Sequence, residues 1–224
     1  MRTSATVCIA VLVGATAVQS TVAQEDEWEG QRVVKVIDEP RHRVMHRDGD
    51  IYVLDVQINP GDMTLPHTHD SAIMYTFISN GDGPSGGRVS SNTDYVEENF
   101  THQVSNDGPG LFRIIAMANY GEGEAGLTQG RPSGLAGEPQ LENPWFRSYR
   151  VELTPGESTE LQQHDNPSVV VQVTDGTTHV TREDGMTAEL DAMGDWAWRD
   201  ARGAYRVYNA GDAAVEVVIN EARR

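Results

Sequence analysis

Gly61-Asp62-Met63-Thr64-Leu65-Pro66-His67-Thr68-His69-Asp70-Ser71-Ala72-Ile73-Met74-Tyr75-Thr76-Phe77-Ile78-Ser79-Asn80-Gly81 is the stretch on which the reading of this chain turns. Two histidines stand two residues apart. A β-strand repeats every two residues, so His67 and His69 point to one face. Imidazole is a good ligand for Fe, Ni, Cu and Zn, and two on one pleat form a bidentate clamp. The stretch is bracketed by turn signals, Asn59-Pro60-Gly61 before it and Asn80-Gly81 at its end. A third histidine on another strand, His102, would complete a facial set and leave positions open for substrate or oxygen.

Working outward, helical periodicity is poor and short alternating or apolar runs dominate. They cover residues 51–58, 74–79, 111–118, 149–153, 169–174 and 215–219, each bounded by Gly, Pro, Asn or Asp. That spacing predicts an all-β sandwich or barrel. The chain also repeats itself. Val56-Gln57-Ile58-Asn59-Pro60-Gly61 returns 95 residues later as Val151-Glu152-Leu153-Thr154-Pro155-Gly156, and the same offset takes His69 to His164 and Gly81 to Gly176. Val104-Ser105-Asn106-Asp107-Gly108 returns as Val207-Tyr208-Asn209-Ala210-Gly211 at a different offset. Two β domains follow, residues 30–120 and 144–222, joined by a Gly-, Pro- and Glu-rich connection over 121–143.

Length and charge narrow the function classes. The 224 residues carry 34 acidic and 17 basic side chains, a formal net charge of −17, and Lys35 is the single lysine. An acidic chain without a basic tract repels phosphate backbones and anionic lipid, so no nucleic-acid or membrane-surface partner is expected. Residues 1–23 read as a signal peptide: Arg2 supplies the positive start, 7–18 a short apolar stretch, and Thr21-Val22-Ala23 a cleavage site. An exported protein, periplasmic or secreted, is expected. Cys8, the one cysteine, lies inside that segment, which leaves imidazoles rather than thiolates to hold a metal.

Gly61-x5-His67-x-His69-x4-Met74-x6-Gly81 resembles the first motif of the cupin superfamily, G-x5-H-x-H-x3,4-E-x6-G, with one substitution. His102-x3-Asn106 resembles the end of the second motif, with Glu97 and Asn99 where that motif has Pro and Gly. The second copy fits the same frame as Gly156-x5-Gln162-x-His164-x4-Val169-x6-Gly176, followed by Gly194-x5-Asp200-x-Arg202-x2-Tyr205-x3-Asn209. The resemblance is to a bicupin: two tandem antiparallel jelly-roll barrels after a signal peptide. It implies that His67, His69 and His102 bind one divalent transition metal inside the first barrel. Fe(II) is favoured by likeness to three-histidine cupins, with Mn, Cu, Ni and Zn as alternatives. It also implies a carboxylate at position 74, where this chain has Met74. Three roles stay open for Met74: barrel packing, a substrate-binding wall, or a soft sulfur ligand. In the second barrel Gln162, Val169 and Tyr205 occupy the other ligand positions, so its metal site is expected to be lost.

Remaining candidates read as structural. His42 and His46 are expected on one solvated strand face, Trp196 and Trp198 in barrel core, and Tyr75 and Phe77 outside the inner pocket. Arg113 and Arg88 are candidate anchors for an anionic substrate, with nothing to distinguish them from surface arginines. The function expected is that of an exported metal-dependent oxygenase-type enzyme on a small organic substrate. The alternative is a non-catalytic cupin that binds a metal or small ligand; either is compatible with a homodimer.

Overall fold

A computed structural model describes residues 27–28, 30–127 and 130–224; the expected signal peptide, residues 1–23, lies outside them. A hairpin of β1 (Glu27–Trp28) and β2 (Gln31–Arg32) leads in. The first barrel comprises β3 (Val34–Lys35), β4 (His42–Asp48), β5 (Ile51–Ile58), β6 (His67–His69), β7 (Ala72–Asn80), β8 (Pro84–Asn92), β9 (Phe100–His102) and β10 (Phe112–Asn119). The second comprises β11 (Leu141–Glu142), β12 (Phe146–Leu153), β13 (Gln162–Gln163), β14 (Ser168–Gln172), β15 (Thr178–Arg182), β16 (Thr187–Leu190), β17 (Trp196–Arg199), β18 (Ala204–Asn209) and β19 (Val215–Ala222). Each barrel is a five-stranded sheet, β4-β5-β10-β7-β8 or β11-β12-β19-β14-β17, facing a smaller one, β3-β6-β9 or β13-β18-β15-β16. Pairing is antiparallel except between β3 and β6. The chain is thus all-β, two tandem jelly-roll barrels.

The internal repeat is physical as well as textual. Pro60-Gly61 and Pro155-Gly156 make the same turn, the glycines at φ 76° and 77° and the next amide donating to the Asn59 or Thr154 carbonyl. That left-handed φ is the geometry a type II turn demands of its third residue. Asn106 donates from Nδ2 to the carbonyls of Ile58 and Gly110, while its Oδ1 accepts from Gly108. Asn209 repeats the pattern with Leu153, Ala213 and Gly211. A Cβ on Gly81 would stand 2.2 Å from Asn106 Oδ1, so glycine is required there by close approach as well as by its φ of 88°. The second-motif asparagine is therefore a structural clasp that closes each barrel.

Apolar side chains divide into three buried groups. Leu54, Val56, Ile58, Ile73, Ile114 and Ala116 fill the first barrel. Val170, Val180, Leu190, Tyr205, Val207 and Ile219 fill the second. The third group lies between them, where Val53, Met74, Ile115 and Met117 of one five-stranded sheet meet Phe146, Val169, Val171 and Val218 of the other. Strands β5, β7 and β10 are buried on both faces, so they read as near-continuous apolar runs instead of strict alternation. Polar links tie the same interface. Arg113 Nε donates to Asp55 at 3.0 Å and its guanidinium reaches the Met193 and Gly194 carbonyls, while Asn220 Nδ2 donates to Thr76 Oγ1 at 2.7 Å.

Several sequence expectations are corrected here. Met74 is 1% exposed and sits in the inter-barrel core, so it neither walls the inner pocket of the first barrel nor faces its histidines. The parity set by His67 and His69 carries through the turn at Asp70-Ser71, so the inward residues of β7 are Ile73, Tyr75 and Phe77 and even-numbered Met74 faces out. Trp196 and Trp198 also face the inter-barrel core, while the alternating Ala197 and Arg199 are turned into the second barrel. His46 packs on Trp198, ring centroids 4.3 Å apart, and is no solvated-edge residue. Arg113 is committed to the interface and not to an anionic ligand.

Truncating Met74 removes apolar contacts from that core, so Met74→Ala should cost about 2–5 kcal/mol in denaturant unfolding. Its metal content, measured beside wild type, should not change; loss of metal without loss of stability would return Met74 to the site.

Candidate metal centre

The strand β6 carries His67 and His69 with only Thr68 between them, and β9 lies antiparallel beside it with His102 directly opposite His67. Period-2 alternation turns the three imidazoles inward, while Thr68 and Thr101 bond each other at 2.8 Å on the other face. The ligand nitrogens of His67, His69 and His102 all lie within 4.8 Å of one another. His69 Nε2 and His102 Nε2 face each other at 3.1 Å. The His67 ring donates from Nδ1 to the Leu65 carbonyl at 2.9 Å, an acceptor that fixes the proton on Nδ1. His67 Nε2 is left buried with no partner among the described residues. A buried, unpaired acceptor nitrogen beside two convergent ones is the arrangement a divalent cation satisfies, so the residues present fit a metal ion.

The electrostatics favour the same state. Burial, reinforced by the neighbouring His42, holds His67 down to about 4. Burial, then the charge of His67, takes His69 to about 2. His102 is lowered by burial and by His42 as well. Metal ligation needs the neutral imidazole, and desolvation supplies it without a carboxylate partner.

A fourth histidine belongs to this site and was missed by sequence reasoning. His42 is buried, its ring 4.4 Å from that of His67 and 6.5 Å from that of His69. It donates from Nδ1 to Glu39 at 2.6 Å. The buried Glu39 carboxylate also accepts the backbone N–H groups of Arg41, His42 and Leu65, so it pins both His42 and the loop that leads to His67. The solvated-edge expectation failed because β4 is bulged between Val44 and His46. One extra residue reverses the facing, so His42 points into the first barrel and His46 toward the second. The Glu39-to-His42 spacing was the available signal.

Beside the imidazoles lies a cavity of about 200 Å³. His42, His69 and His102 line one part of it; Val56, Ile58, Tyr75, Phe77, Phe112 and Ile114 line the rest. Tyr75 and Phe77 therefore line the inner pocket, a second correction on β7. The Tyr75 ring lies 6.5 Å from that of His69 between centroids, and burial raises its hydroxyl so that it stays protonated. Tyr95 and Phe100 stack at 5.4 Å on the flank of His69 and His102. A larger open groove of about 570 Å³ runs along Arg150 and Leu153 of the second barrel, away from any such cluster.

In the second barrel His164 keeps the place of His69 but not its company. Its Nε2 lies 3.0 Å from Gln162 Oε1 and 3.1 Å from the Tyr205 hydroxyl, which meets Ser168 Oγ at 3.1 Å. Glu221 is 3.8 Å from His164 and 3.1 Å from the fully buried Arg147 guanidinium. A fixed side-chain cation thus stands inside this barrel, and the ligand positions have become a hydrogen-bond network. Val169 faces the inter-barrel core and was never an inward position.

No protein-family model matches the chain, and no curated protein matches it in sequence. Solved structures do match its fold. AerE from Microcystis aeruginosa superposes with a TM-score of 0.55 at 11% identity, covering 80% of this chain and 90% of that one. A cupin 2 conserved barrel domain protein from Leptotrichia buccalis gives 0.53 at 13%, covering 81% and 88%. The fold is the cupin fold. The salicylate 1,2-dioxygenase of Pseudaminobacter salicylatoxidans superposes with a TM-score of 0.51 at 10% identity, covering 78% of this chain and 71% of that one.

The lowered imidazoles make a signed prediction for the metal-free protein. Unfolded histidine takes up a proton near pH 6.5, whereas His67 and His69 resist protonation down to about 4 and 2. The unfolded chain therefore binds more protons in that window, and stability falls as pH drops from about 6.5 toward 4. His69→Leu should show a shallower fall over the same range in denaturant midpoints. An equal or steeper fall in the variant would mean that His69 is not held neutral.

Proposed function

We propose that this chain is an exported cupin metalloprotein whose N-terminal barrel holds one divalent transition metal on His67, His69 and His102 and acts as an oxygenase-type enzyme on a small organic molecule. The observation that carries the reading is the convergence of imidazole nitrogens from buried His67 and His69 and half-buried His102 at the edge of a largely apolar cavity. Three nitrogens from two adjacent strands occupy one side of a cation and leave the cavity side for other ligands. A metal held by His67, His69 and His102 would supply Lewis acidity and a place for substrate and oxygen to meet.

The chain's own residues do the remaining work. Leu65 fixes the tautomer of His67, and the Glu39–His42 pair sets the far wall of the site. Tyr75, Phe77 and Phe112 exclude water and orient an organic ligand against the imidazoles. Fe(II) is the proposed metal, ahead of Mn, Cu, Ni and Zn, because every donor is a neutral nitrogen and no carboxylate faces the cluster from β7, the pattern of three-histidine cupins. Export rests on residues 1–23, with their positive start, apolar stretch and small-residue cleavage site.

Elemental analysis of the protein purified from its exported compartment should give about one transition metal per chain, iron foremost. His67→Ala and His102→Ala should each lower occupancy at least tenfold, and His164→Ala should leave it unchanged. Metal content that ignores His67→Ala would sink the assignment. With metal confirmed, oxygen uptake against small organic substrates separates the two readings: turnover lost in His102→Ala supports an enzyme, and tight ligand binding without oxygen uptake supports a binding protein.

A further inference from the structure

We propose that the cavity of the first barrel takes an uncharged molecule about the size of one six-membered ring, with its polar atoms at a single end. The size comes first. An apolar cavity of about 150 Å³ accepts benzene, and drug-sized ligands need about 300 Å³ or more. At about 200 Å³ the cavity has room for one ring with one or two small substituents, and not for a disaccharide, a peptide or a fused bicycle.

Charge comes second. None of the described side chains that line the cavity is Lys or Arg. Arg113 spends its guanidinium on Asp55 and two backbone carbonyls, while Arg88 is exposed and lies over the Phe77 ring at 4.0 Å. A carboxylate on the body of a ligand would be buried against aliphatic and aromatic carbon without a partner, at a large desolvation cost. The one carboxylate in the wall region, Glu39, is saturated by His42 and three backbone amides and attracts nothing further.

Polarity comes third, and it is one-sided. His42, His69 and His102 stand together, whereas Val56, Ile58, Val104 and Ile114 face them with carbon alone. With Nδ1 of His42 occupied by Glu39, its remaining ring nitrogen is Nε2, one hydrogen-bonding atom that can meet a hydroxyl or carbonyl. The stacked Tyr95 and Phe100, the latter 43% exposed, give the same flank an aromatic surface suited to an apolar visitor. A hydroxylated or keto-substituted ring satisfies all three conditions, with its oxygen toward the imidazoles and its body against β5, β7 and β10. The direction of that oxygen rests on the metal reading above; the size and neutrality of the ligand do not.

Phenol, benzoate and 2-naphthol are the probes, titrated by calorimetry and ligand-observed NMR into the full chain in metal-free and metal-loaded forms. Phenol is expected to bind both forms, at least tenfold more tightly than 2-naphthol in each and at least tenfold more tightly than benzoate in the metal-free form, because a divalent ion on three neutral imidazoles would itself be a partner for a carboxylate. Val104→Trp, at the half-buried wall, should weaken phenol at least tenfold with metal content unchanged. Phe112→Ala should open the wall and bring 2-naphthol within threefold of phenol. Benzoate binding as tightly as phenol in the metal-free form, or phenol binding untouched by Val104→Trp, would overturn the proposal. If the metal reading alone is wrong, elemental analysis reads zero while the metal-free discrimination persists. If this inference alone is wrong, one metal per chain is found and the discrimination is absent.

Discussion

Burial of imidazoles at one end of an apolar barrel is the constraint on which the site depends. An imidazolium in that setting is unfavourable, so His67 and His69 are held neutral far below their ordinary protonation range. Neutral rings in fixed tautomers present lone pairs, and here His67 Nε2 has no protein partner while two other nitrogens face each other. The apolar wall that desolvates the histidines is also the wall of the cavity. The proposed metal affinity and the proposed selection of an uncharged ligand would thus both follow from one packing arrangement.

Duplication explains how such a site is supported. The two five-stranded sheets lay their outer apolar faces against each other, so each barrel is a buttress for its twin, and Met74, Met117, Val169 and Val171 form a core that neither barrel could hide alone. The Pro-Gly turns and the Asn106 and Asn209 clasps are kept in both copies because they close the barrels. The ligand positions have diverged. In the second copy a buried arginine, Arg147, pairs with Glu221 next to His164, and positive charge is built into the chain instead of being taken from solution. Breaking one member of such a buried pair would strand its partner as an uncompensated charge.

The fold and the three candidate ligands were legible for simple reasons. Strand alternation and fixed turn spacing survive in the sequence, and His67-x-His69 with His102 needs only the pairing of β6 with β9 to converge. What was illegible depended on parity. The bulge near Met45 separates His42 from His46, sending one to the site and the other to Trp198. Counting by twos from His69 reaches Ile73 and Tyr75, so the motif position at Met74 lies on the opposite face and Tyr75 faces the histidines. The inter-barrel face was hidden for another reason: Trp196, Trp198 and Met74 look like barrel core until a second sheet is known to lie against them. Glu39 could not be found from strand patterns at all, because it acts from a loop beside a short 3-10 turn and reaches the site through backbone amides.

Anomalous diffraction at the metal absorption edge, on crystals of the protein purified without chelators, tests the central claim most directly. The account predicts one strong peak per chain, about 2.0–2.2 Å from ring nitrogens of His67, His69 and His102, with no peak near His164. A peak elsewhere, or occupancy of the second barrel in place of the first, would contradict it.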